Sequence, residues 1–244
     1  MSDFDEVKRL EEQAEEVRKT VLAMIDNVGS GHYGGSLSVV EIMTALYFSE
    51  LNIRPQEPDW DGRDRIVLSK GHACLVLYAC LSLRGYFDRS PLLSLRKKDS
   101  ILQEHLDTKR CPGIDISAES LEQGLSAGVG MAVRAKQNDM EYRTFVLLRD
   151  GETQEGQVWE AAQTAAKYAL DNLVALVDNN SVLNEGLCEE IIPTADLAGK
   201  FAAFGFDTYT IEGHNIGDIL KILRLVSRAH NGRPKCIVAK TSKG

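Results

Sequence analysis

The sequence predicts an α/β fold, a doubly wound, mostly parallel sheet with helices on both faces. Two apolar runs, Phe145 to Leu148 and Leu173 to Val177, are continuous rather than alternating, as suits strands buried on both faces. Between them Val158, Trp159, Ala162, Ala165, Ala166 and Ala169 fall at helical spacing, so the unit reads strand, helix, strand. Such a crossover makes its strands parallel. Strand and helix patterns go on alternating along the chain, which is the signature of this fold class.

The elements follow in order. Val7, Leu10, Ala14, Val17, Val21 and Met24 or Ile25 recur every three or four residues, predicting an amphipathic first helix with a charged outer face. A coiled-coil seam would need more heptads than this segment holds. Ser38 with Glu41 reads as a capping box for a helix through Tyr47 and Phe48, and Ser120 with Gln123 as another before Leu125 to Val133. Ile66 to Leu68 reads as a strand, followed by a helix carrying Cys74 and Cys80 in the core. Phe206 to Ile211 reads as a strand, Ile216 to Ala229 as a helix and Cys236 to Ala239 as the last strand. No repeat or low-complexity linker interrupts the pattern, so residues 1–244 are expected to form a single domain with an N-terminal helix.

The two central runs end in polar strings, Arg149-Asp150-Gly151-Glu152 and Asp178-Asn179-Asn180. Because the strands are parallel, Asp150 and Asn180 emerge at the same carboxyl edge, where open α/β sheets bind ligands. A carboxylate oxygen and an amide oxygen are hard donors suited to Mg²⁺ or Ca²⁺, and Mg²⁺ completes its octahedron with phosphate and water. A magnesium-bridged diphosphate fits that donor set. For either dipeptide alone the plainer account is that Asp and Asn end strands and begin turns.

Composition narrows the classes. At 244 residues and 43% hydrophobic content the chain can bury one sizeable α/β core. A formal net charge of −8 without a basic tract argues against nucleic acid as partner. No run approaches the roughly 20 apolar residues of a membrane span, and the N-terminus lacks the blocks of a signal peptide. Cys74, Cys80, Cys111, Cys188 and Cys236 are scattered without CxxC spacing, which disfavours zinc and suits reduced thiols in a cytoplasm.

Read together, Asp150-Gly-Glu152, Gln154-Glu-Gly156, Trp159-Glu-Ala-Ala162, Leu170-Asp-Asn-Leu173, Val177-Asp-Asn-Asn180 and Glu185-Gly186 resemble the thiamin diphosphate fingerprint of the transketolase family. Ser30-Gly-His-Tyr-Gly-Gly-Ser36 looks like that family's first histidine loop and Asp64-Arg-Ile-Val-Leu-Ser-Lys-Gly-His-Ala73 like its second. Cys111-Pro-Gly-Ile-Asp-Ile-Ser117, with Ser120-Leu and Gln123-Gly-Leu-Ser126, looks like its third block, and the resemblance runs on to Thr241-Ser-Lys-Gly244.

The resemblance implies thiamin diphosphate and Mg²⁺, or Ca²⁺, as cofactors. Asp150, Asn180 and the backbone carbonyl of Val182 would hold the metal. His72, Leu121, Arg149, Gly151, Glu152 and Glu155 would line the cofactor, with His72 near its diphosphate. His32 and His105 would line the substrate channel and stabilise or shuttle protons on ketose hydroxyls. Glu155 would also sit near the subunit contact, although a glutamate favoured by a helix N-terminus explains it equally simply. His214 fits a Gly-His pair of the family, and packing explains it as well. His230 matches nothing.

Only the first of the family's domains is represented, so the resemblance implies the N-terminal subunit of a split transketolase, a transferase moving a two-carbon ketol unit from a ketose to an aldose. Its partner would be a C-terminal subunit carrying the pyrimidine-binding domain and the activating glutamate, with two copies of each chain. Sugars or sugar phosphates would be the substrates.

Several positions depart from the family pattern. Arg149, Glu119 and Glu122 stand where glycines are usual, and Tyr33 and Leu106 where prolines are. A carboxylate about 4 Å from a phosphate charge costs about 4 kcal/mol at an effective dielectric near 20. Arg149 could offset this by pairing with Glu119, Glu122 or the diphosphate itself. Two alternatives follow: a non-catalytic or regulatory transketolase-like subunit, and another thiamin diphosphate enzyme such as a synthase or dehydrogenase component. Gly124, Gly128 and Gly130 would suit either close packing at a subunit interface or an ordinary core helix.

Overall fold

The computed structural model describes residues 3–29, 33–117, 123–180, 182–183, 186–187 and 196–243. Helix α1 (Asp3–Val28) buries Leu10, Ala14, Val17, Val21, Met24 and Ile25, the stripe its periodicity predicts. Asp3, Asp5 and Glu6 lie in its first turn, where carboxylates suit the positive end of the helix dipole. Helices α2 (Tyr33–Leu37) and α3 (Val40–Ala45) follow, and α3 continues as a π-helical turn over Leu46–Glu50.

The capping box expected from Ser38 and Glu41 does not form. Helix α3 begins after Val39 with no side-chain cap. The Ser38 hydroxyl instead donates to Asp178 at 2.9 Å, and the Glu41 carboxylate binds Arg18 and His214. Tertiary partners have displaced the local bond. Ser120 of the second expected box lies outside the described residues, and Gln123 precedes its helix without a side-chain cap.

The rest of the chain alternates. Strand β1 (Arg65–Leu68) leads to α4 (Cys74–Arg84), whose Cys74 and Cys80 are buried. Helix α5 (Gly124–Gln137), β2 (Thr144–Arg149), α6 (Gly156–Lys167) and β3 (Leu173–Asn179) follow. A short antiparallel pair, β4 (Val182–Leu183) and β5 (Gly186–Leu187), precedes α7 (Leu197–Ala203), β6 (Asp207–Glu212), α8 (Ile216–Ser227) and β7 (Lys235–Lys240). Ala169, expected within the crossover helix, lies beyond its end in a left-handed turn with φ 50°.

The main sheet is parallel throughout, in the order β1-β2-β3-β7-β6. Side-chain alternation divides its core in two. Phe145, Leu147, Val174, Leu176 and Ile237 pack toward α1, α3, α4 and α8, whereas Val146, Leu148, Ala175, Val177 and Val238 pack toward α5, α6 and α7. From β2 through β3 to the edge strand β6 the chain advances across the second face, then returns to β7 through α8 on the first. Right-handed crossovers demand that change of face when the direction reverses.

This topology also opens the carboxyl edge. The chain leaving β1 enters α4 on one face, while those leaving β2 and β3 enter α6 and α7 on the other, so the connections part between them. Helix α5 is drawn close to the sheet by two glycines: a Cβ at Gly124 would lie 2.4 Å from Ser69 and one at Gly128 would lie 2.3 Å from Val146. These two belong to core packing, while a Cβ at Gly130 would meet nothing within 4 Å. No helix among the described residues is long and apolar enough to cross a membrane. Cys74, Cys80, Cys111 and Cys236 are buried free thiols.

Candidate functional site

The pairing register sets the last residues of β2 and β3, Arg149 and Asp178, side by side. Asp150 and Asn180 lie one and two positions further, at the carboxyl ends of neighbouring strands about 4.8 Å apart. Asp150 is 0% and Asn180 5% exposed, so both polar groups sit inside the edge rather than on its surface. Asp150 opens a 3-10 turn (Asp150–Gln154) and its Oδ1 accepts the Gly151 N–H at 2.8 Å. The Asn180 amide donates through Nδ2 to Asp178 Oδ2 at 2.9 Å. Val182, expected to supply a carbonyl, begins β4 just beyond Asn180.

Asp178 is the centre of a buried polar cluster. Its Oδ2 also accepts from Lys70 Nζ at 2.5 Å and from the Ser38 hydroxyl at 2.9 Å, while Lys70 Nζ reaches the Ser38 oxygen at 3.2 Å. Its Oδ1 accepts from the Thr241 hydroxyl. Both ionic side chains are completely buried, so each needs the other. Burial alone would raise the Asp178 carboxyl, but the Lys70 charge and the surrounding donors outweigh it and hold the group below the usual carboxylate range. Segments distant in sequence are thereby tied at one point: the end of α2, the turn after β1, the end of β3 and the chain after β7.

A second tie lies beside it. Glu152 accepts the Arg149 N–H through Oε1 at 2.8 Å and the Ser69 hydroxyl through Oε2, joining the turn after β2 to the end of β1. Arg149 is 9% exposed, its Nε lies 3.9 Å from Asp150 Oδ1, and that Nε makes no hydrogen bond among the described residues. Glu155 is exposed and precedes α6 without capping it.

The predicted histidines separate. His72 lies in the turn Gly71–Ala73, and Gly35 packs against its ring so closely that a Cβ there would come within 2.8 Å of Cδ2. Gly35 thus lets the first and second histidine segments meet. His105 is exposed and lines a cleft of about 480 Å³ with Asp107, Lys109, Arg110 and Ser117. Asp115, in the block that follows, is anchored to β1 by the Ile66 N–H at 2.8 Å and to the segment before it by Arg63 at 2.7 Å. His214 accepts the Ser242 N–H through Nε2 at 3.0 Å and therefore gives its Nδ1 proton to Glu41 at 2.9 Å. His32, Glu119, Leu121 and Glu122 lie outside the described residues.

Lys70, Asp178, Ser38, Ser69 and Thr241 join this network although sequence alone assigned none of them a role at the site; Ser69, Lys70, Asp178 and Thr241 lie inside the motif strings that carry the family resemblance. A signal did exist for Asp178, which shares strand parity with the core residues Val174 and Leu176 and so had to be paired. Among the described residues no three His, Cys, Asp or Glu side chains gather as a metal cluster. A carboxylate and an amide oxygen, the donors Asp150 and Asn180 carry, are a different kind of set from such a cluster and suit hard cations that take their remaining ligands from elsewhere.

A family model described as transketolase, thiamine diphosphate binding domain, matches residues 10–244. The chain belongs to the transketolase family. The 6-deoxy-6-sulfo-D-fructose transketolase subunit SqwG of Clostridium sp. is 42% identical over 235 residues, which cover 96% of this chain and 85% of that protein. An apulose-4-phosphate transketolase subunit from Phocaeicola vulgatus is 38% identical, covering 98% of this chain and 84% of that one. Human transketolase is 36% identical across 99% of this chain, which accounts for 38% of the human protein. The crystal structure of transketolase from Campylobacter jejuni superposes with a TM-score of 0.89 at 32% identity, covering 95% of this chain and 37% of that one. The transketolase family member described here therefore corresponds to the family's N-terminal, thiamin diphosphate-binding portion.

Proposed function

We infer that this chain is the N-terminal subunit of a two-chain transketolase, a transferase that moves a two-carbon ketol unit from a ketose to an aldose. The observation that carries this reading is the placement of two buried hard-oxygen donors, Asp150 and Asn180, just beyond the carboxyl ends of adjacent parallel strands. The buried Arg149 Nε without a hydrogen bond adds a cation at the same edge, where an anionic group fits. Asp150, Asn180 and the carbonyl of Val182 would hold Mg²⁺, and Arg149 would face the diphosphate. His72, pressed against Gly35, would stand beside the cofactor.

When bound, thiamin diphosphate supplies the carbanion chemistry of the transfer. The chain's own part is to hold and orient that group, to exclude water from it, and to handle protons at substrate hydroxyls through His32 and His105. Glu155, exposed at the start of α6, would face a second subunit. The companion is a separate chain supplying the pyrimidine-binding domain, with two copies of each in the assembly. Two relatives named for a sulfonated ketose and a phosphorylated ketose support a donor carrying a terminal anion. Buried free thiols suit a cytoplasmic setting.

Mixing the chain with its companion, thiamin diphosphate and Mg²⁺ should give ketol transfer from such a ketose. Calorimetry with the same complex tests Arg149: Arg149→Gly should weaken cofactor binding, and equal or tighter binding would reject its role. Binding of cofactor without transfer to any aldose would favour a regulatory subunit.

A further inference from the structure

We propose that Asp178 is a positioning residue for the metal, acting through Asn180, an inference that rests on the function proposed above. An asparagine offers a metal only its amide oxygen, and the two ends of the amide have nearly the same shape. Something must therefore decide which end points where. Asp178 does so chemically: a carboxylate with no proton accepts and cannot donate, so only the nitrogen of Asn180 can face Oδ2, at 2.9 Å. The amide oxygen is then the end that does not face Asp178 Oδ2.

The carboxylate is itself fixed. Lys70 at 2.5 Å and Ser38 at 2.9 Å hold Oδ2, and Thr241 holds Oδ1. These partners come from the turn after β1, from the end of α2 and from the chain after β7, so the orientation of one amide is set by three separate segments. Lys70 keeps the carboxylate ionised in a site with 0% exposure on both sides. An aspartate that served only as half of a buried ion pair would not need to accept the Asn180 nitrogen as well.

The test uses the two-chain complex, saturated with thiamin diphosphate and titrated with Mg²⁺ in a calorimeter, beside its melting temperature. Asp178→Leu combined with Lys70→Met replaces the ion pair with apolar groups of similar size, which preserves folding in comparable buried pairs. The double variant should melt near the parent complex yet need at least about tenfold more Mg²⁺. Adding Asn180→Asp to the double variant should recover most of that loss, because a carboxylate offers an oxygen at either end and needs no orienting. Parental Mg²⁺ affinity in the double variant, or no recovery on adding Asn180→Asp, would overturn the proposal.

Should the double variant not assemble, Thr241→Val at the half-buried rim removes one hold on the carboxylate and should raise the Mg²⁺ requirement about threefold, or roughly 0.6 kcal/mol. An unchanged requirement would overturn it equally. Absence of Mg²⁺-dependent cofactor binding in the parent complex is a different outcome, since it would overturn the function on which the proposal stands.

Discussion

At the amino edge of the sheet, Asp64 pairs with Arg143 at 2.5 Å, Asp115 with Arg63 at 2.7 Å, and Lys235 gives its ammonium to the Ala229 and Arg233 carbonyls, each at 2.6 Å. At the carboxyl edge, Asp178 and Lys70 are paired more deeply still, but Asp178 also accepts a hydrogen bond from Asn180, and Arg149 beside Asp150 keeps an Nε without one among the described residues. Both edges bury charge. At the amino edge the ionic groups close on one another and on the main chain and secure the register of β1, β2 and β7. At the carboxyl edge the pairing serves to aim further polar groups. Buried charge alone does not mark a site; what matters is whether the network ends in itself.

That contrast can be broken most decisively at Asp150. In the reconstituted complex Asp150→Ala should lower ketol transfer by at least about a hundredfold while the melting temperature stays close to that of the parent. A variant that melts early and keeps its activity would reverse the assignment of the two edges. Asp64→Ala should do the opposite. It strips the partner of Arg143 and leaves the Asn52 and Arg143 N–H groups without their acceptor, so unfolding in urea should lose about 3 kcal/mol, with Mg²⁺ affinity of the folded complex unchanged.

Glycines on α5 sharpen the comparison. Gly124→Ala pushes a methyl against the backbone and side chain of Ser69, which holds Glu152 at the carboxyl edge. It should destabilise by about 2 kcal/mol and weaken cofactor binding together with stability. Gly130→Ala, on the same helix but with open space around it, should stabilise the isolated chain by about 0.5–1 kcal/mol. Equal effects at the two positions, measured by chemical denaturation, would remove the steric account of α5.

The smallest effect expected is an acid limit at the amino edge. Burial alone would raise the Asp171 carboxyl, but the hydrogen bond from Lys136 and the Gly232 N–H hold it below the usual range. Its native pKa thus lies under an unfolded value of about 3.9. The contribution is complete above that value and is lost as the pH falls through the native one. The melting temperature of Asp171→Asn should therefore fall less steeply in acid than that of the parent; identical acid slopes would contradict the assignment.

The strands and their parallel sense were legible because an apolar run and a crossover helix are local patterns. Asp150 and Asn180 could be placed together from the same patterns, since both directly follow such runs. The cluster that aims Asn180 could not, because the partners of Asp178 lie 108, 140 and 63 residues away, at Lys70, Ser38 and Thr241. Nothing in the spacing of those residues announces that they meet. Ser38 and Glu41 illustrate the converse, where a familiar spacing suggested a helix cap and distant partners took both side chains. Ala169 fits helical spacing by sequence, yet the chain must already turn there to enter β3.

The most direct test is anomalous diffraction from crystals of the two-chain complex grown with thiamin diphosphate and Mn²⁺ in place of Mg²⁺. The expected result is a single strong peak at the carboxyl edge, coordinated by Asp150 and by the amide oxygen of Asn180. A peak elsewhere, or an Asn180 whose nitrogen faces the metal, would contradict the account.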